Sequence, residues 1–262
     1  MCTLTWTQAR PTSSSNSNGA PEYQLWFNRD EMRARAAELP PRLQVSEDGV
    51  RFIAPEDSEA GGTWITANEH GVTVALLNGY AEARGSSRSD YTSRGVLVRS
   101  LAGAQALKDT LDALSPKSLK EYHPAVIFVK TPGVPALVVR WDGQCAALDF
   151  AGERQLPLTS SSYEQDEVQR ARRDLYRTIV SDPSPQGDPL APPADRLAAF
   201  QNYVDPSAGP THLTPIMGRS DAATRSQCVI SVTEARVSFS YRPLPSPGAE
   251  PSAPIELRRV GR

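Results

Sequence analysis

The chain has 262 residues, of which 39% are hydrophobic and 22% charged, and its formal net charge is −2. Such a length buries a substantial core in one large domain or two small ones. The near-neutral balance, with no basic block, argues against a surface that tracks nucleic-acid phosphates. Cys2, Cys145 and Cys228 are too few and too scattered for a disulfide framework, and no Cys/His spacing suggests a metal site.

The opening Met-Cys-Thr-Leu-Thr-Trp-Thr has neither a basic start nor an apolar run, so it does not read as a signal peptide. No stretch reaches the roughly 18 apolar residues of a membrane span. The expectation is a cytoplasmic protein without a transmembrane segment, with the mitochondrial matrix as the alternative if the source is eukaryotic. Cys2, Leu4 and Trp6 alternate with threonines as in a half-buried strand, and Tyr23, Leu25 and Phe27 repeat the period. Residues 11–21, rich in Ser, Asn and Gly, read as a flexible loop, so the two strands should pair antiparallel.

Residues 33–38 suggest a helical turn stopped by Pro40 and Pro41. A second hairpin is read over 62–78, with Gly71 in its turn. Leu97, Leu101, Leu107, Leu111 and Leu114 predict one long amphipathic helix, ended near Ser115-Pro116. Strands follow at 125–129, 136–141 and 145–150. Ser162 with Gln165 has capping-box spacing for a helix with Val168, Leu175 and Ile179 on its buried stripe. A proline-rich loop at 182–193, a short helix at 195–203 and a hairpin of 228–232 with 237–241 complete the order. The predicted organisation is one domain over 1–242 and a disordered polar tail over 243–262. Hairpins outnumber helices, which favours two antiparallel sheets faced by helices, an α+β fold.

Cys2 would become the first residue if Met1 were removed, so that its thiol and a free α-amine share one residue. That amine, with a pKa of about 7.7–8.0, can serve as base for the thiol, and a nearby guanidinium would favour the thiolate. Asn28-Arg29-Asp30-Glu31 closes the second strand. If the strand is regular, Arg29 and Glu31 share one face and Asn28 and Asp30 the other. Gly62-Thr63-Trp64 suggests a close backbone approach. Asn78, after an apolar strand, could donate to an oxyanion or cap a turn.

Cys-Thr-Leu-Thr-Trp, Phe-Asn-Arg-Asp-Glu, the segment 53–65 ending Ala-Gly-Gly-Thr-Trp-Ile, and Val-Ala-Leu-Leu-Asn-Gly-Tyr at 74–80 together resemble the NRDE family. This is the family of the transport and Golgi organisation protein 2 and its bacterial relatives. The likeness continues through 158–162 and 224–226 to about residue 242. It implies an N-terminal-nucleophile hydrolase-like fold, a four-layer α-β-β-α sandwich, similar to the cysteine branch of bile salt hydrolases and penicillin V acylases. By that resemblance Cys2 is the nucleophile, Arg29 its thiolate partner, Asp30 the residue orienting the amine and Asn78 the oxyanion holder. Asn28, Glu31, Gly62, Thr63, Trp64, Ser161 and Arg225 are the implied ligand-binding residues. Arginine and aspartate are adjacent here rather than three apart, and Ser160-Ser161 stands where those hydrolases carry asparagines. The family is associated with haem trafficking and acyl-coenzyme A and lipid homeostasis. The function implied first is therefore a carrier of an apolar small molecule, with no required cofactor, haem as its leading ligand and haem-receiving proteins as partners. The alternative is an amidohydrolase or thioesterase using Cys2.

Overall fold

The computed structural model describes residues 2–8, 20–80, 91–150, 155–180, 194–244 and 252–261. The loops expected at 11–21 and 182–193 lie outside these, apart from Ala20 and Pro21. In chain order come β1 (Cys2–Gln8), β2 (Tyr23–Met32), β3 (Leu39–Val45), β4 (Arg51–Glu56), β5 (Ile65–Asn68) and β6 (Thr73–Asn78). Short helices follow, α1 (Arg94–Ser100), α2 (Leu107–Ala113) and α3 (Pro116–Leu119), then β7 (Ala125–Lys130), β8 (Leu137–Trp141), β9 (Ala146–Asp149) and β10 (Leu158–Ser160). The chain ends with α4 (Gln165–Val180), α5 (Ala194–Gln201), β11 (Ala222–Val232), β12 (Arg236–Pro243) and β13 (Ile255–Arg258).

These strands make two antiparallel sheets, ordered β10-β1-β2-β11-β12-β13 and β3-β4-β5-β6-β7-β8-β9. The α+β class read from the hairpins holds. The chain divides into two compact units, one of residues 1–35, 153–234 and 240–254 and the other of 36–152, 235–239 and 255–262. Neither unit is contiguous in sequence, so no composition shift along the chain marks a boundary between them. Among the described residues, no helix is long and apolar enough to cross a membrane.

In the first unit β1 lies between β2 and β10, and β2 between β1 and β11. Every second side chain of β1 and β2 is buried on each face: Leu4, Trp6, Leu25 and Phe27 on one, Thr3, Thr5, Trp26 and Asn28 on the other. A strand covered on both faces cannot show clean polar alternation, and the threonines accordingly sit inside rather than in solvent.

The second unit is a meander. Val74, Leu76, Ile127, Val129, Leu137, Val139 and Trp141 build a core with Leu97, Val98 and Leu101 of the helical segment. Gly71, at φ +74°, turns the chain between β5 and β6 as the hairpin required. The single long helix predicted from the leucine repeat is instead broken. After α1 the chain makes a 3-10 turn at Leu101–Gly103, becomes extended at Ala104, and restarts at α2. Gly103 lies where an added Cβ would meet Ser46 Oγ at 2.9 Å, and Asp109 accepts from the Gln105 and Ala106 N–H groups to begin the new helix. The leucine spacing survives because each short piece turns the same side to the core.

Two further segments differ from the sequence reading. Pro40 and Pro41 lie in β3, which is tolerated because β3 is an edge strand and register slips there between Leu39 and Arg42. The polar tail contributes β13, which pairs with β12 and buries Leu257. Only two apolar residues carry that strand, too short a pattern to register as a period.

The close approach suggested at Gly62 is real, and its partner is the start of α1. The Thr63 N–H donates to the Gly95 carbonyl at 3.0 Å, and a Cβ on Gly62 would stand 2.4 Å from the Gly95 carbonyl carbon. Gly62→Ala is therefore expected to destabilise the protein by about 1–3 kcal/mol through overpacking. A urea-denaturation midpoint equal to wild type would refute this contact.

Candidate active site

Antiparallel pairing sets Arg29 of β2 directly opposite Cys2, and Ser160 of β10 opposite Cys2 on its other side. Directly paired residues project to the same face. Ser226 of β11 pairs with Arg29 in turn, so Ser160, Cys2, Arg29 and Ser226 form one row across four strands. The next row on that face is Leu158, Leu4, Phe27 and Cys228, all buried. The polar row therefore caps an apolar surface.

Arg29 is 5% exposed, and its Nη2 lies 3.2 Å from Glu31 Oε2. The shared face expected for these two residues is thus observed. Glu31 also accepts from the Met32 N–H at 2.9 Å.

Asp30 projects to the opposite face, where α4 covers it. Its Oδ1 accepts from Thr224 Oγ1 at 2.6 Å, and its Oδ2 lies 3.6 Å from Arg172 Nη1, both side chains being fully enclosed. Arg172 also donates to Thr3 Oγ1 and, through Nη2, to the His212 carbonyl at 3.2 Å. Burial pulls the Arg172 guanidinium below its usual value, and Asp30 opposes that. The buried stripe of α4 is Val168, Arg172, Tyr176 and Val180, a row at i, i+4 spacing, and not the expected Val168, Leu175 and Ile179. Sequence reasoning passed over Arg172 because an arginine on a helix reads as a surface residue; its spacing from Val168 and Tyr176 was the available signal.

Burial pushes the Cys2 thiol above the usual range. The N-terminal ammonium lowers it, the Asp30 carboxylate raises it, and the Asp30 backbone N–H, donated to the sulfur, and Arg29 pull it down. A carboxylate, a guanidinium and a backbone donor therefore all act on one sulfur. Cys145 is exposed and Cys228 fully buried, so neither shares this setting.

The remaining expected residues have their own partners. Asn28 donates to the carbonyls of Gln201 at 2.8 Å and Pro215 at 3.0 Å, and accepts from Gln227 Nε2 at 2.9 Å. Both its N–H groups are engaged in holding α5 and its sequel to the sheet. Ser161 accepts from the Tyr163 N–H at 3.1 Å and donates back to the Tyr163 carbonyl, closing the turn before α4. Arg225 occupies the bulge of β11 between Thr224 and Ser226, and its Nη1 donates to the Arg33 carbonyl at 3.4 Å. Cys2, Arg29 and Asp30 thus come together in the first unit, with Glu31 and Arg225 on the adjoining strand positions.

Asn78, Gly62, Thr63 and Trp64 belong to the second unit. There Asn78 Nδ2 donates to Tyr80 Oη at 2.8 Å, and Thr63 Oγ1 donates to the Ile65 carbonyl at 3.0 Å. That unit also has an open cleft of about 430 Å³, lined by Ser46, Glu47, Asp48, Phe52, Val96 and Arg99 among others. None of the expected site residues lines it.

Two solved structures share this architecture. A penicillin V acylase from Agrobacterium tumefaciens is 12% identical with a TM-score of 0.50, over 95% of this chain and 84% of its own. A Caenorhabditis elegans N-acylethanolamine-hydrolyzing acid amidase ortholog is 11% identical with a TM-score of 0.51, over 88% of this chain and 92% of its own. The fold is therefore N-terminal-nucleophile hydrolase-like. The Transport and Golgi organisation 2 family model matches residues 1–130, the stretch that carries all four motifs through Tyr80. No curated protein matches the sequence.

The Asp30–Arg172 pair generates a prediction. Arg172→Met leaves Asp30 enclosed without its cation and should cost about 3–5 kcal/mol. Combining it with Asp30→Asn should recover much of that loss, giving a coupling of at least about 1 kcal/mol in a double-mutant cycle. Urea denaturation of the four proteins measures it, and strictly additive losses would mean the two side chains do not act as a pair.

Proposed function

We propose that the protein, once Met1 is removed, is an N-terminal cysteine hydrolase acting on an amide or thioester bond. The observation that carries this reading is the pairing of Cys2 directly opposite Arg29, with Asp30 the next residue along β2, so that a guanidinium and a carboxylate both act on the sulfur. Loss of Met1 would give Cys2 its own α-amine, a base one residue wide whose pKa of about 7.7–8.0 suits work near neutrality. The amine takes the thiol proton, and Arg29 stabilises the thiolate as it forms. Asp30, held by Arg172 and Thr224, supplies the negative charge that orients the resulting ammonium. The sulfur attacks the carbonyl, the amine or thiol leaving group departs with the transferred proton, and water then releases the acid from the thioester.

A second reading has one observation in its favour. Burial keeps the Cys2 thiol above its usual range while Met1 remains attached, and a protonated thiol suits a binding residue better than a nucleophile. On that reading the protein carries haem or an acyl-coenzyme A, handing it to a receiving protein. The open cleft of the second unit is a poor seat for either ligand. Glu47 and Asp48 line it together with Arg99, so its charge is mixed, and none of the residues around Cys2 reaches it.

Intact-mass spectrometry tests the choice. The purified protein is expected to lack Met1 and, after brief exposure to hexanoyl-coenzyme A, to carry one hexanoyl group that disappears on standing and never forms in Cys2→Ser. Retention of Met1, or stoichiometric haem binding by the wild type and Cys2→Ser alike with no acyl adduct, would replace the hydrolase by the carrier.

A further inference from the structure

The row Ser160, Cys2, Arg29, Ser226 contains two hydroxyls that have no hydrogen-bond partner among the described residues, Ser160 Oγ and Ser226 Oγ, and both are buried. On the opposite face Thr3 is engaged with Arg172, Thr5 with Gln201 and Thr224 with Asp30, and in the turn before α4 Ser161 is engaged with Tyr163. Thr159 Oγ1 also lacks a partner, but it belongs to the opposite face and its residue is only half-buried. An enclosed hydroxyl without a partner is unfavourable, since it gives up water for nothing. Two such groups in one row that also holds the candidate nucleophile need a reason. Leu158 and Leu4, the neighbours of Ser160 one row away on the same face, offer neither donor nor acceptor from their side chains.

Strand spacing separates the two serines in their relation to Cys2. Ser160 is one strand away, directly paired, which puts the two Cβ atoms about 4.5–5.5 Å apart. Ser226 is two strands away, at roughly twice the inter-strand spacing of 4.7–4.9 Å. A carbonyl oxygen on a carbon bonded to the Cys2 sulfur falls within reach of the first hydroxyl and not of the second. Ser161, the neighbouring serine, has its hydroxyl committed to the turn.

We infer that Ser160 is an oxyanion donor of the Cys2 site, a role that rests on the hydrolase reading. As the sulfur electron pair forms the S–C bond, the carbonyl π pair moves to oxygen, and the Ser160 O–H donates to that oxygen. The proton released by the thiol passes through the Cys2 α-amine to the leaving group. Collapse of the adduct restores C=O and breaks the bond to the leaving group, and the Ser160 hydrogen bond weakens again. Ser160 gains and loses no proton. A hydroxyl left unsatisfied in the resting protein and satisfied in the tetrahedral adduct favours the adduct over the resting state, which is the direction catalysis requires.

The test compares two reactions of the same sulfur in Met1-free protein bearing Cys145→Ser, which removes the exposed thiol. Alkylation by iodoacetamide develops no oxyanion; acylation by p-nitrophenyl acetate does. Ser160→Ala should leave the alkylation rate within about twofold, lower the acylation rate by about 100- to 1,000-fold, and leave Tm equal to or above that of the parent. Ser160→Thr, which restores a hydroxyl on a strand-compatible side chain, should recover acylation to within about tenfold of the parent. An unchanged acylation rate in Ser160→Ala overturns the donor role and leaves the hydrolase standing. A parent protein that is alkylated at Cys2 but never acylated overturns both. A fall in Tm with parallel losses in both reactions makes Ser160 structural and likewise overturns the assignment.

Discussion

The fully enclosed contact of Arg172 with Asp30 ties a helix to the strand that ends beside Cys2, and the geometry of the first unit follows from it. Two charges removed from water on one face of a sheet are tolerable only when each has further partners. Asp30 has Thr224, and Arg172 has Thr3 and the carbonyls of His212 and Leu213. The guanidinium connects α4 to β1, β2 and the 212–213 turn, and the carboxylate adds β11 through Thr224. Asp30 also acts on the Cys2 thiol, its carboxylate raising it and its backbone N–H lowering it. A residue that appears in a sequence motif for its carboxylate thus contributes through its backbone as well.

Two residues earlier on the same face of β2, Asn28 performs a comparable task without charge. Its amide joins Gln201 of α5, the Pro215 carbonyl and Gln227 of β11, and Gln201 continues the chain of contacts to Thr5. Buried polar networks of this kind are favourable only when their members are satisfied. The contrast with Ser160 and Ser226 is physical. The side chains that hold α4 and α5 to the sheet bond to one another, and in the row that holds Cys2 two hydroxyls have no partner among the described residues. Strand alternation puts the network that holds α4 and α5 on one face of the sheet and Cys2, Arg29, Ser160 and Ser226 on the other.

Much of this was legible in the residues. Period-two alternation located β1 and β2 and predicted their antiparallel pairing, and the hairpins of β5–β6 and β11–β12 announced themselves by alternation and by Gly71. The motif Asn28-Arg29-Asp30-Glu31 could be divided between two faces before any coordinates, and the Arg29–Glu31 contact agrees. Other elements were hidden for identifiable reasons. Helix continuity after Ser100 was lost to Gly103 packing on Ser46 and to the cap at Asp109, contacts that periodicity does not register. The strands β3 and β13 were missed because two prolines in one and only two apolar residues in the other obscure a period. Arg172 was missed because charge type outweighs spacing when a helix stripe is read.

Local rules of alternation, turn chemistry and residue type act between neighbours, and they were enough to establish from sequence alone an antiparallel α+β fold, a cysteine poised behind Met1 and an arginine-aspartate run at the end of its partner strand. Which residue stands opposite which depends on register between strands more than a hundred residues apart, as with Cys2 and Ser160 or Arg29 and Ser226. Register is set by the sum of side-chain packing over whole strands and by bulges such as that at Arg225, and no local pattern encodes it. For that reason only the tertiary structure decided that Arg172 holds Asp30, that Ser161 is engaged in a turn, and that Ser160, without a partner among the described residues, stands opposite Cys2.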